Sequence, residues 1–212
     1  MDTKVSFLKK HPIAQDILSL TSFIICVILG VVILNTFIFR SYNVVGVSME
    51  NTLHGDDRVI VNRIPVTLAH LQEKEYIPNR GDVIVFVNGP ASGPLTCDVE
   101  SGVRDQYIIK RVIAFPGERV RVKDGRLTVY NDANPEGFDP DLENRKNNEG
   151  PKEYTSGEVD MKVPEGEVFV SGDNREGSHS YDSRNGLGTI PFCRIVGPAA
   201  LRFWPLNKIE AL

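Results

Sequence analysis

Cysteine, histidine and tryptophan are scarce in these 212 residues, numbering three, four and one. No Cys-x-x-Cys pair and no His-Glu-x-x-His run occurs, so no metal site is indicated and no cofactor is expected. A surplus of positive charge is missing too. Lys and Arg total 24 against 28 Asp and Glu, a net charge of −4 that argues against a nucleic-acid partner. With 41% hydrophobic residues the chain has the composition of one or two ordinary globular domains, which excludes disorder, collagen-like repeats and a disulfide-built miniprotein.

Charge is also absent, wholly, from one place. Ile17–Phe39 is a run of 23 residues without a charged side chain, 17 of them drawn from Ala, Val, Ile, Leu, Met, Phe, Trp, Tyr and Cys. As a helix it would rise about 35 Å, enough to cross a hydrocarbon core of about 30 Å. Asn35-Thr36-Phe37-Ile38-Phe39-Arg40 closes the run with no Ala-x-Ala cleavage site, so an uncleaved transmembrane anchor is expected over residues 17–39. Lys4, Lys9 and Lys10 precede it and only Arg40 directly follows. The positive-inside rule then places a cytoplasmic tail at 1–16 and an extracytoplasmic domain at 40–212, a single-pass arrangement in the cytoplasmic membrane. That outer domain carries 21 basic and 26 acidic side chains, so its contact with lipid would have to be apolar.

Beyond the anchor the hydrophobic period changes to two. Arg58–Asn62, Asp82–Val87 and Glu167–Val170 are β-branched runs bounded by Gly, Pro and Asn and are expected as strands. Arg119–Tyr130 predicts a hairpin, with Asp124-Gly125 supplying the positive φ angles of a type I′ turn. Helical patterning is confined to one short piece near Val66–Lys74, so the domain is expected to be mainly antiparallel β. Asn88–Asp105 and Asn131–Gly157 are poor in core residues and are expected as surface excursions; the second offers only Ala133, Phe138, Leu142 and Tyr154 in 27 residues. Asp132-x-Asn134-x-Glu136-Gly137 with Glu143 has nearly the spacing of a calcium loop, but Pro135 and Pro140 interrupt it. Cys26 lies in the anchor. Cys97 and Cys193 lie outside it, where a disulfide is chemically open to them, although two buried small hydrophobes are the default expectation.

Three segments carry chemistry. In Gly46-Val47-Ser48-Met49-Glu50, Glu50 stands where a nucleophile elbow needs its second glycine, which rules out that motif. In Tyr107-Ile108-Ile109-Lys110-Arg111-Val112-Ile113, strand alternation gives each base β-branched neighbours on its own face. A desolvated lysine there loses its proton readily, whereas an arginine stays charged and needs an acid. Gly172-Asp173-Asn174-Arg175, continuing through Ser178, His179 and Ser180 to Asp182-Ser183-Arg184, offers acids that could pair Arg111 and hydroxyls that could orient an ammonium. His179 is the only histidine beside plausible triad partners, and nothing further signals a histidine base.

In this order behind one anchor, the segments resemble a bacterial type I signal peptidase of the single-anchor Gram-positive kind. The resemblance covers nearly the whole chain. Ser48-Met49-x-x-Thr52-Leu53, Gly81–Phe86, Lys110-Arg111-Val112 with Pro116-Gly117-Glu118, Gly172–Arg175 with Ser180-x-Asp182-Ser183-Arg184, and Arg202-Phe203-Trp204-Pro205-Leu206 carry it. It implies a coiled, barrel-like antiparallel β fold and an enzyme that removes signal peptides from secreted preproteins after a small-x-small motif. Its implied partners are those peptides, the lipid bilayer and, transiently, the secretion translocon.

Carried over by residue, the resemblance makes Ser48 the nucleophile and Lys110 the general base. Ser180 would orient the lysine, and Asp182, Arg184 and Arg111 would form a supporting ion-pair cluster. Met49, Val44 and Ile109 would meet the substrate. Gly46 stands where many members have an oxyanion-stabilising hydroxyl, so backbone groups would supply the polarisation. Asn51 replaces a usual proline, and the stretch between Asn174 and Asp182 is about two residues longer than usual. That insertion leaves Ser178 open beside Ser180 as the lysine's partner. The loop 131–157 has no functional counterpart. Two competing readings are a catalytically silent anchored β-domain and a self-cleaving repressor relative; the intact Ser48 and Lys110 argue against the first, and the anchor and lack of a DNA-binding segment against the second.

Overall fold

A computed structural model describes residues 12–88, 97, 106–145 and 150–212. The first helix, α1, runs Pro12–Ile33 and passes through one π-helical turn, Leu34–Ile38, before Phe39 adopts extended geometry. Gln15–Ile38 has a mean hydropathy of 2.9 with none of it buried in protein, so its length and composition suit a membrane span. The expected anchor therefore ends one residue early: Phe39 opens strand β1 (Phe39–Asn43) with no linker between helix and sheet.

All paired strands among the described residues are antiparallel. They are β2 (Arg58–Asn62), β3 (Val83–Asn88), β4 (Gln106–Ala114), β5 (Arg119–Lys123), β6 (Arg126–Asn131), β7 (Asn134–Phe138), β8 (Val159–Lys162), β9 (Glu167–Ser171), β10 (Ile190–Pro191), β11 (Ile195–Trp204) and β12 (Glu210–Ala211). The larger sheet is ordered β1-β2-β11-β3-β4-β9-β10, with β12 against β11, and a smaller sheet is ordered β7-β6-β5-β8. The larger sheet is an open path with β1 and β10 at its ends. Helix α2, Ile64–Leu71, follows β2 and starts two residues earlier than the sequence pattern suggests, with Pro65 in its first turn.

Alternation decides what each strand buries. In the β5–β6 hairpin, Val120, Val122, Leu127 and Val129 point inward and meet Ile113 and Phe169 of the larger sheet, joining the two sheets through one apolar layer. Asp124 and Gly125 have φ of 52° and 78°, as a type I′ turn requires.

Two expectations fail. The 131–157 segment is not merely an excursion, since it contains β7, paired with β6, and buries Asp141 and Thr155 completely or nearly so. A polar edge strand pairs through its backbone, so apolar content was a poor guide to it. Cys97 and Cys193 are not buried hydrophobes; both are exposed, and they form a disulfide with Cα atoms 5.8 Å apart. Apart from Cys97, the Asn88–Asp105 excursion falls largely outside the described residues.

Candidate active site

Strand β4 lies between β3 and β9, with Lys110 opposite Ile84 and Arg111 opposite Ser171. This central position leaves Lys110 only 4% exposed. The β1–β2 connection folds back over β4 because its own backbone closes at the base, where Val44 N–H donates to Asp57 O at 2.8 Å and Asp56 N–H to Val44 O at 3.1 Å. Met49 and Leu53 plug it into the core. Ser48 sits at its tip with Oγ 2.7 Å from Lys110 Nζ, and the same amine donates to the Ile109 carbonyl at 2.9 Å. Asn174 fixes the turn from the other side, its N–H donating to Ser48 O at 3.0 Å and its Nδ2 to Val47 O at 3.1 Å.

Burial lowers the Lys110 pKa from 10.5 to about 8, against the opposing pull of the Asp182 and Asp173 carboxylates and with help from Arg184. Those two acids hold separate arginines. Arg111 reaches Asp173 with Nε at 2.8 Å and Nη2 at 2.6 Å, and its Nη1 donates to Gly81 O at 2.6 Å. Arg184 reaches Asp182 with Nε at 3.0 Å and Nη2 at 2.8 Å. Burial would raise the Asp182 carboxyl. The Arg184 fork, the Ser180 hydroxyl and the Gly172 N–H outweigh it and hold this carboxyl below its ordinary range. The expected cluster of Asp182, Arg184 and Arg111 is thus two fork-shaped pairs built on different acids.

Ser180 is fully buried, whereas Ser178 is exposed. The Ser180 hydroxyl donates to Asp182 Oδ2 at 2.6 Å. It lies close to the serine turn, because a Cβ added to Gly172 would collide with both Ser180 Oγ and the Ser48 carbonyl. A cleft of about 420 Å³ opens over Ser48 and Lys110 and is lined by Val44, Gly46 and Ile109, with His179 and Tyr181 also on its wall. Gly46 takes a φ of 87°, a conformation for which glycine is suited. Met49 does not line this cleft. It is 1% exposed and packs with Val44, Leu53, Val59 and Val83, so its place is core support beneath the turn. A larger cavity of about 740 Å³, against Thr52, Arg111 and Arg202, contains neither Ser48 nor Lys110.

A buried lysine amine in hydrogen-bond contact with a serine hydroxyl can take that hydroxyl's proton, which is the requirement of a serine peptidase lacking a histidine base. The family described as "Signal peptidase, peptidase S26" matches residues 17–204. The chain belongs to this family. Signal peptidase I of Bacillus licheniformis is 34% identical over 188 residues, covering 88% of each chain. Signal peptidase I S of Bacillus subtilis (strain 168) is 34% identical over 187 residues with the same coverage. A solved structure of a signal peptidase I from Enterococcus faecalis V583 is 28% identical, covers 57% of this chain and 96% of that one, and superposes with a TM-score of 0.36. The protein is a peptidase of the signal peptidase family.

Several residues of this signal peptidase site escape a reading of the sequence. Asp173 was visible only as one of several acids able to meet Arg111, and Thr52, which donates to it, stood in the Ser48–Leu53 motif with no role assigned. Asp141 forms an ion pair with Arg175 at 2.8 Å, their side chains 1% and 0% exposed. The segment after it runs alongside the site loop: Lys152 N–H donates to Asp173 O and Ser156 N–H to Arg175 O, each at 3.0 Å. Arg184 Nη1 joins both strands of this contact through Arg175 O at 2.9 Å and Ser156 O at 3.2 Å. The polar loop is a brace under the Gly172–Arg175 segment.

Proposed function

We propose that this protein is a membrane-bound serine endopeptidase that removes N-terminal signal peptides from exported preproteins, cutting after a small-x-small motif. The supporting observation is the 2.7 Å contact between Ser48 Oγ and a Lys110 amine whose pKa burial lowers to about 8. Neutral Lys110 takes the Ser48 hydroxyl proton as Oγ attacks the scissile carbonyl. The tetrahedral oxyanion meets backbone N–H groups of the Gly46–Ser48 turn. Collapse passes the proton from Lys110 to the departing amine, which leaves as the new N-terminus of the mature protein, with the signal peptide held as an ester on Ser48. Lys110 then deprotonates a water that hydrolyses this ester and restores Ser48.

Arg184–Asp182 and Arg111–Asp173 are positioning pairs in this scheme, and Ser180 fixes Asp182 beside the amine. Val44 and Ile109 bound the cleft where the small residue before the cut would sit. In this reading the N-terminus faces the cytoplasm and the β domain lies outside, supported by Lys4, Lys9 and Lys10 before the span against Arg40 directly after it. The substrate's own apolar segment shares the bilayer near the translocon, which confines the encounter to the membrane surface.

The test is incubation of the purified, detergent-solubilised protein with a preprotein and sequencing of the new N-terminus. A single cut after a small-x-small motif, lost in Ser48→Ala, is expected. An intact preprotein, or a cut that persists in Ser48→Ala, would overturn the proposal.

A further inference from the structure

Helix α2 turns its largest apolar side chains away from the protein. Ile64, Leu68 and Leu71 fall within about 60° of one another at about 100° per residue, and they are 39%, 50% and 76% exposed. Val66, on the opposite side, is 4% exposed and supplies the helix's contact with the domain. A surface helix of a soluble domain faces its stripe inward; here the stripe faces out.

Two hydrogen bonds set where this stripe stands. Arg63 N–H donates to Ile38 O at 2.8 Å, and Thr67 Oγ donates to Phe37 O at 2.9 Å. Both acceptors belong to the last turn of the apolar span, whose carbonyls have no partner further along the helix and are costly to leave bare near hydrocarbon. The helix thus caps the span and is held at the level where the span emerges. Phe37 and Phe39, 48% and 47% exposed, continue the apolar surface from the span.

We propose that α2 is an interfacial helix whose Ile64, Leu68 and Leu71 face beds into the acyl chains of the bilayer beside the span. The proposal rests on the reading of Gln15–Ile38 as a membrane-crossing segment. Its occupant is lipid because the stripe is continuous with a surface that only lipid can cover, and because the hydrogen bonds fix both at one depth. Charge contributes little: after Leu71 the chain reads Gln72-Glu73-Lys74-Glu75, without the excess of Lys and Arg that draws helices to anionic headgroups. Trp204, an aromatic side chain of the kind that favours a membrane interface, pairs opposite Arg58, whereas the span emerges at the other end of β2, where Phe39 pairs with Asn62.

The test uses the full chain carrying Cys26→Ser, with the Cys97–Cys193 bond kept oxidised. Single cysteines replace Leu68, Phe23 in the span, or Lys123 at the exposed β5–β6 hairpin. Each is labelled with bimane and reconstituted into phosphatidylcholine nanodiscs containing doxyl-labelled lipid. Quenching at position 68 is expected to exceed that at 123 by about threefold or more, to be strongest with a shallow doxyl group, and to be unchanged by anionic lipid. Position 68 matching position 123 while 23 is quenched would overturn the interfacial helix and leave the span intact. An unquenched position 23 would overturn the span reading itself and the proposal with it.

Discussion

The pH dependence of cleavage follows from where Lys110 is buried. A lysine with its ordinary value of 10.5 would be neutral in about three molecules per ten thousand at pH 7; at about 8, the neutral fraction is about one in ten. The roughly 300-fold gain corresponds to about 3 kcal/mol of differential interaction between the charged and neutral amine. Since the base must be neutral, kcat/KM should climb close to tenfold per pH unit at low pH, reach half its maximum near pH 8, and level off about one unit above that. The assay is initial-rate cleavage of one preprotein between about pH 6 and pH 10 at constant ionic strength. The same shift has a sign for stability. Below the folded value of about 8 both states carry the proton and the fold bears the full cost of burying it; stability rises with pH from there up to the unfolded value of 10.5. Lys110→Met should therefore abolish cleavage while its Tm at neutral pH holds or rises. A half-maximum near 6.5 would assign the base to a histidine, and cleavage retained in Lys110→Met would refute the dyad outright.

Gly172→Ala puts a methyl group onto both Ser180 Oγ and the Ser48 carbonyl, so the serine turn must move; displacement of about 1 Å should lower kcat about 100-fold, measured by steady-state cleavage. Wild-type kcat in this variant would refute the close approach. Asp141→Ala leaves Arg175 without this carboxylate in the interior and should cost about 3–5 kcal/mol in urea unfolding, whereas a loss under about 1 kcal/mol would refute Asp141 as the charge that compensates Arg175. Alkylation of the unfolded chain followed by mass spectrometry should add one label without reductant, on Cys26, and three with it. Reduction opens a bond with a sequence separation of 96 and should lower stability by about 5 kcal/mol; three labels without reductant would refute the pairing.

The strands were legible wherever side chains alternate. Val120, Val122, Leu127 and Val129 announce a face, and Asp124-Gly125 announces the turn between them. β7 was not legible because Asn134-Pro135-Glu136-Gly137-Phe138 pairs through its backbone and buries little. Ser48 and Lys110 were chosen through family likeness, and their contact bridges a sequence separation of 62 that no local pattern measures. Met49 shows the limit of that likeness: adjacency to a serine in sequence does not decide whether a side chain at a turn faces the cleft or the core. Asp141 looks in sequence like any acid in a polar loop, and only the fold reveals that Arg175 is waiting beneath it. The two extra residues before Asp182 left Ser178 and Ser180 open as partners of Lys110; Ser180 is the buried one, but its hydroxyl donates to Asp182, while the Lys110 amine bonds Ser48 and Ile109.

The absence of a linker between the span and β1 has a geometric consequence. Phe39 passes straight from the last helical turn into a strand whose five residues pair with β2, and α2 bolts the same junction to the domain. A tether of flexible residues would let the cleft wander over the membrane; a strand makes it a gauge. Five residues at about 3.4 Å give β1 a stiff length of about 17 Å before the chain turns toward Ser48. If the proposed signal-peptide substrate is anchored in the same bilayer, such a rigid spacer would measure it from its apolar end and spare bonds much nearer or farther than that reach.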